Sequence, residues 1–371
     1  MIIGIPKEIK THEYRVGMIP ASVKEVVSHG HHVFVETNAG TGIGFSDQDY
    51  IDAGAQILAT ASDVFAKAEM IVKVKEPQAV ERAMLREGQI LFTYLHLAPD
   101  PEQTHDLINS KAVCIAYETV TDKNGRLPLL APMSEVAGRM SIQAGAFALE
   151  KSRGGSGILL GGVPGVEPAK VVIIGGGVVG ANAAQMALGL QADVTVIDRN
   201  IDVLRQLDVQ FNGKLKTVYS TNDSIEKHVL EADLVIGGVL VVGAAAPKLV
   251  TAEMIKKMKP GAAIVDVAID QGGCVETSHA TTHSEPTYIV DEVVHYCVAN
   301  MPGAVARTSA VALNNVTLPY IVNLANKGYK KALQDDKHLL NGLNVYRGQI
   351  TCESVATSLD LPYVDADSAI A

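Results

Sequence analysis

The chain has 371 residues, 47% hydrophobic and 19% charged, which describes a folded globular protein with enough apolar side chains for real cores. That length suits about two domains. A net charge of −10 offers no attraction to nucleic acid or to an anionic membrane, so neither is expected as a partner. Cys114, Cys274, Cys297 and Cys352 are scattered without a C-x-x-C pair, which reads as reduced thiols of a cytoplasmic protein and gives no metal site.

The opening MIIGIPKEIK lacks the long apolar core of a signal peptide. Ile2–Ile5 reads as a strand leading into a polar loop over Pro6–Pro20, Ala21–His29 as a helix stopped by Gly30, and Val33–Glu36 as a strand. Asn38–Phe45 is a glycine-rich loop without helix periodicity. Asp47–Ala53 and Asp63–Ala68 are short helices, the second with Ser62 as its N-cap. Two strands follow that end on reactive side chains, Met70–Lys75 on Lys75 and Ile90–His96 on His96. In open parallel sheets ligands bind beyond the carboxyl ends of strands, so a lysine and a histidine are delivered to one rim. Taken singly, each has an ordinary alternative, a solvated charge or a structural ring; the coincidence is what points to a site. Ala112–Glu118 is a further strand, and Ser134 caps a helix over roughly Glu135–Lys151. Ser152–Pro168, rich in glycine and proline, is a linker into the next fold.

The densest signal is KVVIIGGGVVGANAAQMALGLQADVTVID, Lys170–Asp198. The apolar run Val171–Ile174 is a buried parallel strand. Gly175, Gly177 and Gly180 fit G-x-G-x-x-G, an apolar helix follows, and the strand Val194–Ile197 ends on Asp198. The first glycine makes the turn, the second admits a pyrophosphate and the third lets helix and strand touch. The helix N-terminus offers unpaired N–H groups to phosphates. Asp198 stands where an acid accepts from a ribose 2′-OH and repels a 2′-phosphate, so the pattern implies a dinucleotide cofactor, NAD rather than NADP. Val171–Ala192 carries no charge, but its glycines favour this strand–turn–helix over a membrane span.

Beyond Asp198, Ile201–Val209, Asp223–Glu231 and Ala252–Met258 read as helices, and Thr217–Tyr219, Leu234–Val242 and Ala263–Ala268 as strands. Asp270 follows the last of these on the rim where a nicotinamide would lie; its ordinary reading is a turn acid. Val298–Ala304 is a turn that closes the nucleotide fold. From Val305 the pattern turns helical, with Val311–Asn326 and Tyr329–Leu340 as helices, and the tail returns to the first domain. The expected division is therefore residues 1–130 with 305–371, and residues 131–304.

These residues resemble a known family. IGIPKEIKTHEYRVGMIP, IVKVKEP, YLHLAPDP, APMSEVAGRM, GGGVVG, DVAIDQGG, NMPGAVARTS and YRGQITCESVA, in that order along essentially the whole chain, are similar to bacterial alanine dehydrogenases of the alanine dehydrogenase/nicotinamide transhydrogenase family. The resemblance implies an α/β fold of two Rossmann-like domains with mostly parallel sheets and a cleft between them, assembled as a homohexamer. It implies reversible, NAD-dependent deamination of L-alanine to pyruvate and ammonium. Arg15 and Lys75 would then bind substrate, and His96 and Asp270 would serve as the acid/base pair. Cofactor contacts would fall on Ser134, Val178, Val179, Asp198, Ser220, Val239, Leu240, Val267, Ala268, Ile269, Asp270, Val298, Ala299, Asn300 and Met301, beside the three glycines. Two positions depart from the family's pattern: Val203 stands where a basic residue is common, and His279 where an arginine is. The rival readings are the soluble part of a proton-translocating transhydrogenase, a saccharopine dehydrogenase and a catalytically idle NAD sensor. The transhydrogenase has no use for a substrate clamp, the saccharopine dehydrogenase would need a larger substrate pocket, and intact candidates at all four polar positions argue against an idle sensor.

Overall fold

The computed structural model describes residues 1–239 and 246–371. Among these the chain forms two compact units, one of Met1–Met133 with Val305–Ala371, the other of Ser134–Ala304.

The first unit opens with β1 (Ile2–Ile5), α1 (Pro20–Ser28), β2 (His32–Glu36), α2 (Asp47–Asp52), β3 (Gln56–Leu58) and α3 (Ala61–Lys67). It continues through β4 (Met70–Val72), α4 (Ala79–Arg82), β5 (Ile90–Thr93), α5 (Pro101–Ser110) and β6 (Val113–Ala116). Local chemistry sets the boundaries. Pro20 occupies the first turn of α1, where its missing N–H removes nothing. Ser46 and Asp49 form a capping box on α2. Thr60, not Ser62, caps α3 by accepting from the Asp63 amide, which leaves Ser62 inside the first turn. The loop after β2 contains a 3-10 turn over Thr41–Ile43 where no helical structure was expected.

β4 and β5 are shorter than their apolar runs suggested, so Lys75 and His96 lie on the following loops rather than on strand ends. Side-chain carboxylates take over from the ladder there: Glu8 accepts from the Val74 and Lys75 amides, and Glu118 from the Leu95 and His96 amides.

α6 (Ala131–Ala148) starts before Ser134, which therefore sits in the first turn instead of capping it. The second unit then runs β7 (Lys170–Ile174), α7 (Val178–Gly189), β8 (Asp193–Asp198), α8 (Ile201–Phe211), β9 (Lys216–Tyr219), α9 (Asn222–Glu231) and β10 (Leu234–Gly237). α10 (Ala252–Lys257), β11 (Ala263–Asp266), β12 (Thr287–Val290) and β13 (Val293–Tyr296) complete it. Its sheet order is β12-β13-β11-β10-β7-β8-β9, parallel except for β12. The progression reverses between β7 and β10, which makes the crevice beyond those strand ends the switch point of a doubly wound sheet. Odd and even residues of each strand serve opposite cores: Val171, Ile173 and Val194 face one, Val172, Ile174 and Ile197 face the other. β10 was expected to reach Val242 but ends at Gly237, and Leu240–Val242 lie outside the described residues.

The chain then returns to the first unit through α11 (Ala306–Lys327), α12 (Tyr329–Asp335), α13 (Lys337–Leu340), β14 (Leu343–Tyr346), β15 (Gln349–Ile350), α14 (Glu353–Leu359) and α15 (Ala366–Ile370). The single helix expected over Tyr329–Leu340 is broken at Asp336, whose side chain accepts from the His338 and Leu339 amides and so starts α13. The first sheet has the order β15-β14-β6-β5-β4-β1-β2-β3. Its six parallel strands repeat the doubly wound order of the second unit, and antiparallel β14 covers the edge of β6. Both units are thus Rossmann-like α/β folds. Among the described residues no helix is long and apolar enough to cross a membrane.

Candidate active site

In the first unit the loops after β1, β4, β5 and β6 gather at the carboxyl edge of the sheet; the first three are each steadied by a glutamate, and the loop after β6 supplies one of these, Glu118. Arg15, 2% exposed, lies on the loop after β1. Its Nε donates to Glu13 Oε1 at 2.7 Å and its Nη2 to Oε2 at 2.6 Å, while Nη1 lies 3.0 Å from Met133 Sδ. Burial alone would lower the guanidinium's pKa, but the Glu13 carboxylate more than offsets it, so the pKa is raised and the charge is kept.

Below Lys75 lies a second ionic cluster. Lys73, 1% exposed, donates from Nζ to Glu8 at 2.9 Å and to Glu81 at 2.7 Å. Burial disfavours its charge, yet the two carboxylates prevail and its pKa rises. Glu8 is pushed the other way from a normal acid, upward, by its own burial. Its Oε1 accepts from Val74 N at 2.6 Å and Lys75 N at 3.3 Å, which fixes the backbone that presents the half-buried Lys75. The Lys75 carbonyl accepts from the Thr93 hydroxyl at 2.9 Å, tying this loop to the end of β5. Burial opposes ionisation of the adjacent Glu76, but the charges of Lys75 and Lys10 hold its pKa below the ordinary value.

His96 is exposed and takes a left-handed backbone, φ 49°. Its ring stacks on Tyr94 at 5.8 Å and 6°, and Tyr94 is anchored by its hydroxyl to the Leu129 carbonyl at 2.5 Å. Glu118, on the 3-10 turn Tyr117–Thr119 after β6, accepts from His96 N at 2.6 Å. Arg15, Lys75 and His96 are therefore brought to one rim. Glu8, Glu13, Lys73, Glu81 and Glu118 support them. The one signal of this in the sequence was Glu13 standing two positions before Arg15.

In the second unit the glycine loop joins β7 to α7. A Cβ on Gly180 would lie 1.8 Å from the Gly175 carbonyl oxygen, so close helix–strand contact requires glycine there. Gly175 (φ 96°) lies against Gly238, with Val239 beside it, at the switch point between β7 and β10. Gly177 begins α7 without a side-chain cap and has no heavy atom within 4 Å of where a Cβ would stand. Val178 is exposed, Val179 is half-buried, and the first amides of α7 have no capping side chain. That is the open, donor-rich cradle a pyrophosphate requires, so the residues present fit a nicotinamide dinucleotide. Asp198, at the end of β8, accepts from Gly176 N at 2.6 Å and Asn200 N at 2.7 Å, which fixes its carboxylate beside the loop.

Ser220, half-buried, follows β9. Asp270 is exposed on a 3-10 turn over Val267–Gln271, not directly at a strand end, and its Oδ1 accepts from Asn300 N at 3.3 Å. Ala268, Ile269, Val298 and Met301 are buried. Val267, Ala299 and Asn300 are half-buried and Ser134 lies in the first turn of α6. Leu240 lies outside the described residues. Val203 packs toward Gly176, and His279 stacks on Tyr288 at 3.8 Å.

The chain matches two family models, alanine dehydrogenase/PNT N-terminal domain over residues 4–137 and alanine dehydrogenase/PNT C-terminal domain over residues 141–353. It is 60% identical over 370 residues to an alanine dehydrogenase of Halomonas elongata, covering 100% of both chains. A solved structure named L-alanine dehydrogenase superposes with a TM-score of 0.94 at 54% identity, covering 97% of this chain and 99% of that one. A transhydrogenase structure from Sinorhizobium meliloti gives 0.81 at 25% identity, over 95% and 99%.

Proposed function

Because the chain belongs to the alanine dehydrogenase/PNT family, we propose that it catalyses the reversible, NAD-dependent oxidative deamination of L-alanine to pyruvate and ammonium. The observation that carries this reading is full-length similarity to alanine dehydrogenases, joined to a rim that holds Arg15, Lys75 and His96 together.

The two units divide the work. The second binds NAD through Gly175, Gly177 and Gly180, the first amides of α7 and Asp198, with Ser134, Ser220, Val239 and the backbone of Val267–Asp270 and Val298–Met301 around it. Held there, NAD would supply the acceptor for the hydride lost from the alanine Cα. Arg15 clamps the substrate carboxylate, and its Nη1 edge points away from the fork held by Glu13. Lys75 neutralises charge at the carboxylate or the developing keto oxygen. His96 takes a proton from the water that attacks the iminium carbon, gives it to the carbinolamine nitrogen, and takes the hydroxyl proton as ammonia leaves and the keto group forms. Asp270 orients that water. The protein works in the cytoplasm as a homohexamer, which light scattering tests: a monomeric mass would remove the assembly from the reading.

The decisive assay follows nicotinamide absorbance with L-alanine and either NAD⁺ or NADP⁺. Reduction of NAD⁺ alone supports the full reading. Reduction of both keeps the enzyme and removes Asp198 as a discriminator. No reduction by protein that binds NADH overturns the dehydrogenase assignment.

A further inference from the structure

We infer that Glu118 is a positioning residue for catalysis, which sets the orientation of the His96 imidazole; the inference rests on the acid/base role proposed for His96. Glu118 is only 12% exposed at its side chain. Its two oxygens converge on one short segment. Both accept from Leu95 N at 3.2 Å, and Oε1 also accepts from His96 N at 2.6 Å.

That pair of bonds holds His96 in a left-handed conformation that a non-glycine residue rarely adopts. Left-handed backbone at an exposed histidine has to be maintained by its surroundings, and Glu118 supplies the acceptor that does so. The same Oε1 stands 3.9 Å from His96 Nδ1. This is too long for a hydrogen bond in the ligand-free protein, but within the range at which a carboxylate stabilises an imidazolium. The Tyr94 ring, parallel beneath the imidazole, restricts rotation about the remaining side-chain torsions.

Together these contacts turn the Nδ1 edge toward Glu118 and leave Nε2 as the nitrogen available to a reacting water. A carboxylate behind the far nitrogen of a catalytic histidine favours the tautomer that accepts at Nε2 and stabilises the cation formed when it does. The neighbouring elements carry Tyr94, Lys73, Lys75 and Glu76 after β4, and Asp100, Glu102, His105 and Asp106 at the head of and along α5, besides Glu118. Glu118 is the one whose charge contacts the ring.

The test compares Glu118→Gln, Glu118→Asp and His96→Ala in the full-length enzyme, with NADH binding and thermal unfolding as controls for the fold. Glu118→Gln is expected to lower kcat on the order of tenfold, with KM for alanine changed less than about threefold. A loss of kcat at near-constant KM, with NADH binding and melting temperature unchanged, separates positioning from general structural damage. Glu118→Asp, which keeps the carboxylate, is expected to recover part of the lost kcat. An inactive His96→Ala beside a Glu118→Gln enzyme of parent kcat would overturn the inference while leaving the His96 role standing. A fully active His96→Ala would remove the acid/base reading itself, and the inference with it.

Discussion

Glu13 and Arg15 form a two-pronged ion pair that is almost sealed from solvent, with side-chain exposures of 0% and 2%. The pair fixes the direction of the guanidinium before any substrate arrives, so the clamp spends little ordering entropy when a carboxylate binds. Replacing Arg15 with alanine leaves a buried carboxylate without its partner. Arg15→Ala is expected to lose about 3–5 kcal/mol of stability as well as substrate affinity. Arg15→Lys keeps the charge but not the fork, and should raise KM for alanine tenfold or more with NADH affinity unchanged. Urea unfolding and steady-state kinetics on both variants separate the two effects; equal KM for the lysine variant would refute the clamp.

The glycine loop makes opposite predictions at two of its positions. Gly180→Ala would force a Cβ to 1.8 Å from a carbonyl oxygen, so it should cost roughly 3 kcal/mol or more and weaken the whole unit. Gly177→Ala meets no protein atom and has an ordinary φ of −67°, so its unfolding should shift by less than about 0.5 kcal/mol. Its methyl group would nonetheless occupy the phosphate cradle. Calorimetry should show NAD⁺ binding lost at a normal melting temperature, and normal binding would remove Gly177 from the cofactor site.

Asp198 uses both oxygens to hold the loop backbone, yet each keeps a lone pair for a ribose hydroxyl. Asp198→Ala should reduce kcat/KM with NAD⁺ by about tenfold and raise the ratio of NADP⁺ to NAD⁺ activity, since the repulsion of a 2′-phosphate disappears. An unchanged ratio would show that cofactor choice lies elsewhere.

A pH-dependent contribution to stability resides at His295, fully buried in β13. Its Nδ1 lies 2.9 Å from the Val293 carbonyl, which can only accept, so Nδ1 carries the proton and Nε2 accepts from Thr277 at 2.8 Å. Burial lowers the ring's pKa from 6.5. A depressed pKa gives stability that is complete above 6.5 and is lost as pH falls through the folded value, because the unfolded chain then binds the proton more readily. Urea midpoints taken across roughly pH 5–7.5 should decline toward acid, and His295→Gln should flatten that slope. Parallel slopes in the two proteins would exclude His295 as the source.

Local sequence was enough to determine most strands and helices as far as β11, and the glycine loop with its terminal Asp198. Each depends on residues near one another in the chain, where period, turn chemistry and capping act directly. Lys75 and His96 were legible as residues just beyond two apolar strands and Arg15 through motif resemblance, but their supports were not. Glu118 meets His96 and Glu8 meets Lys73 only because β6 pairs with β5 and the loop after β1 lies beside β4. A glutamate reads as solvent-exposed in any local window; only burial against a distant cation or a free amide makes it structural. The same long-range contacts shortened β4 and β5 and moved Lys75 and His96 onto loops. The chain's own pattern decided which fold forms, and the packing of the folded sheet decided which charges stand inside it and what they hold.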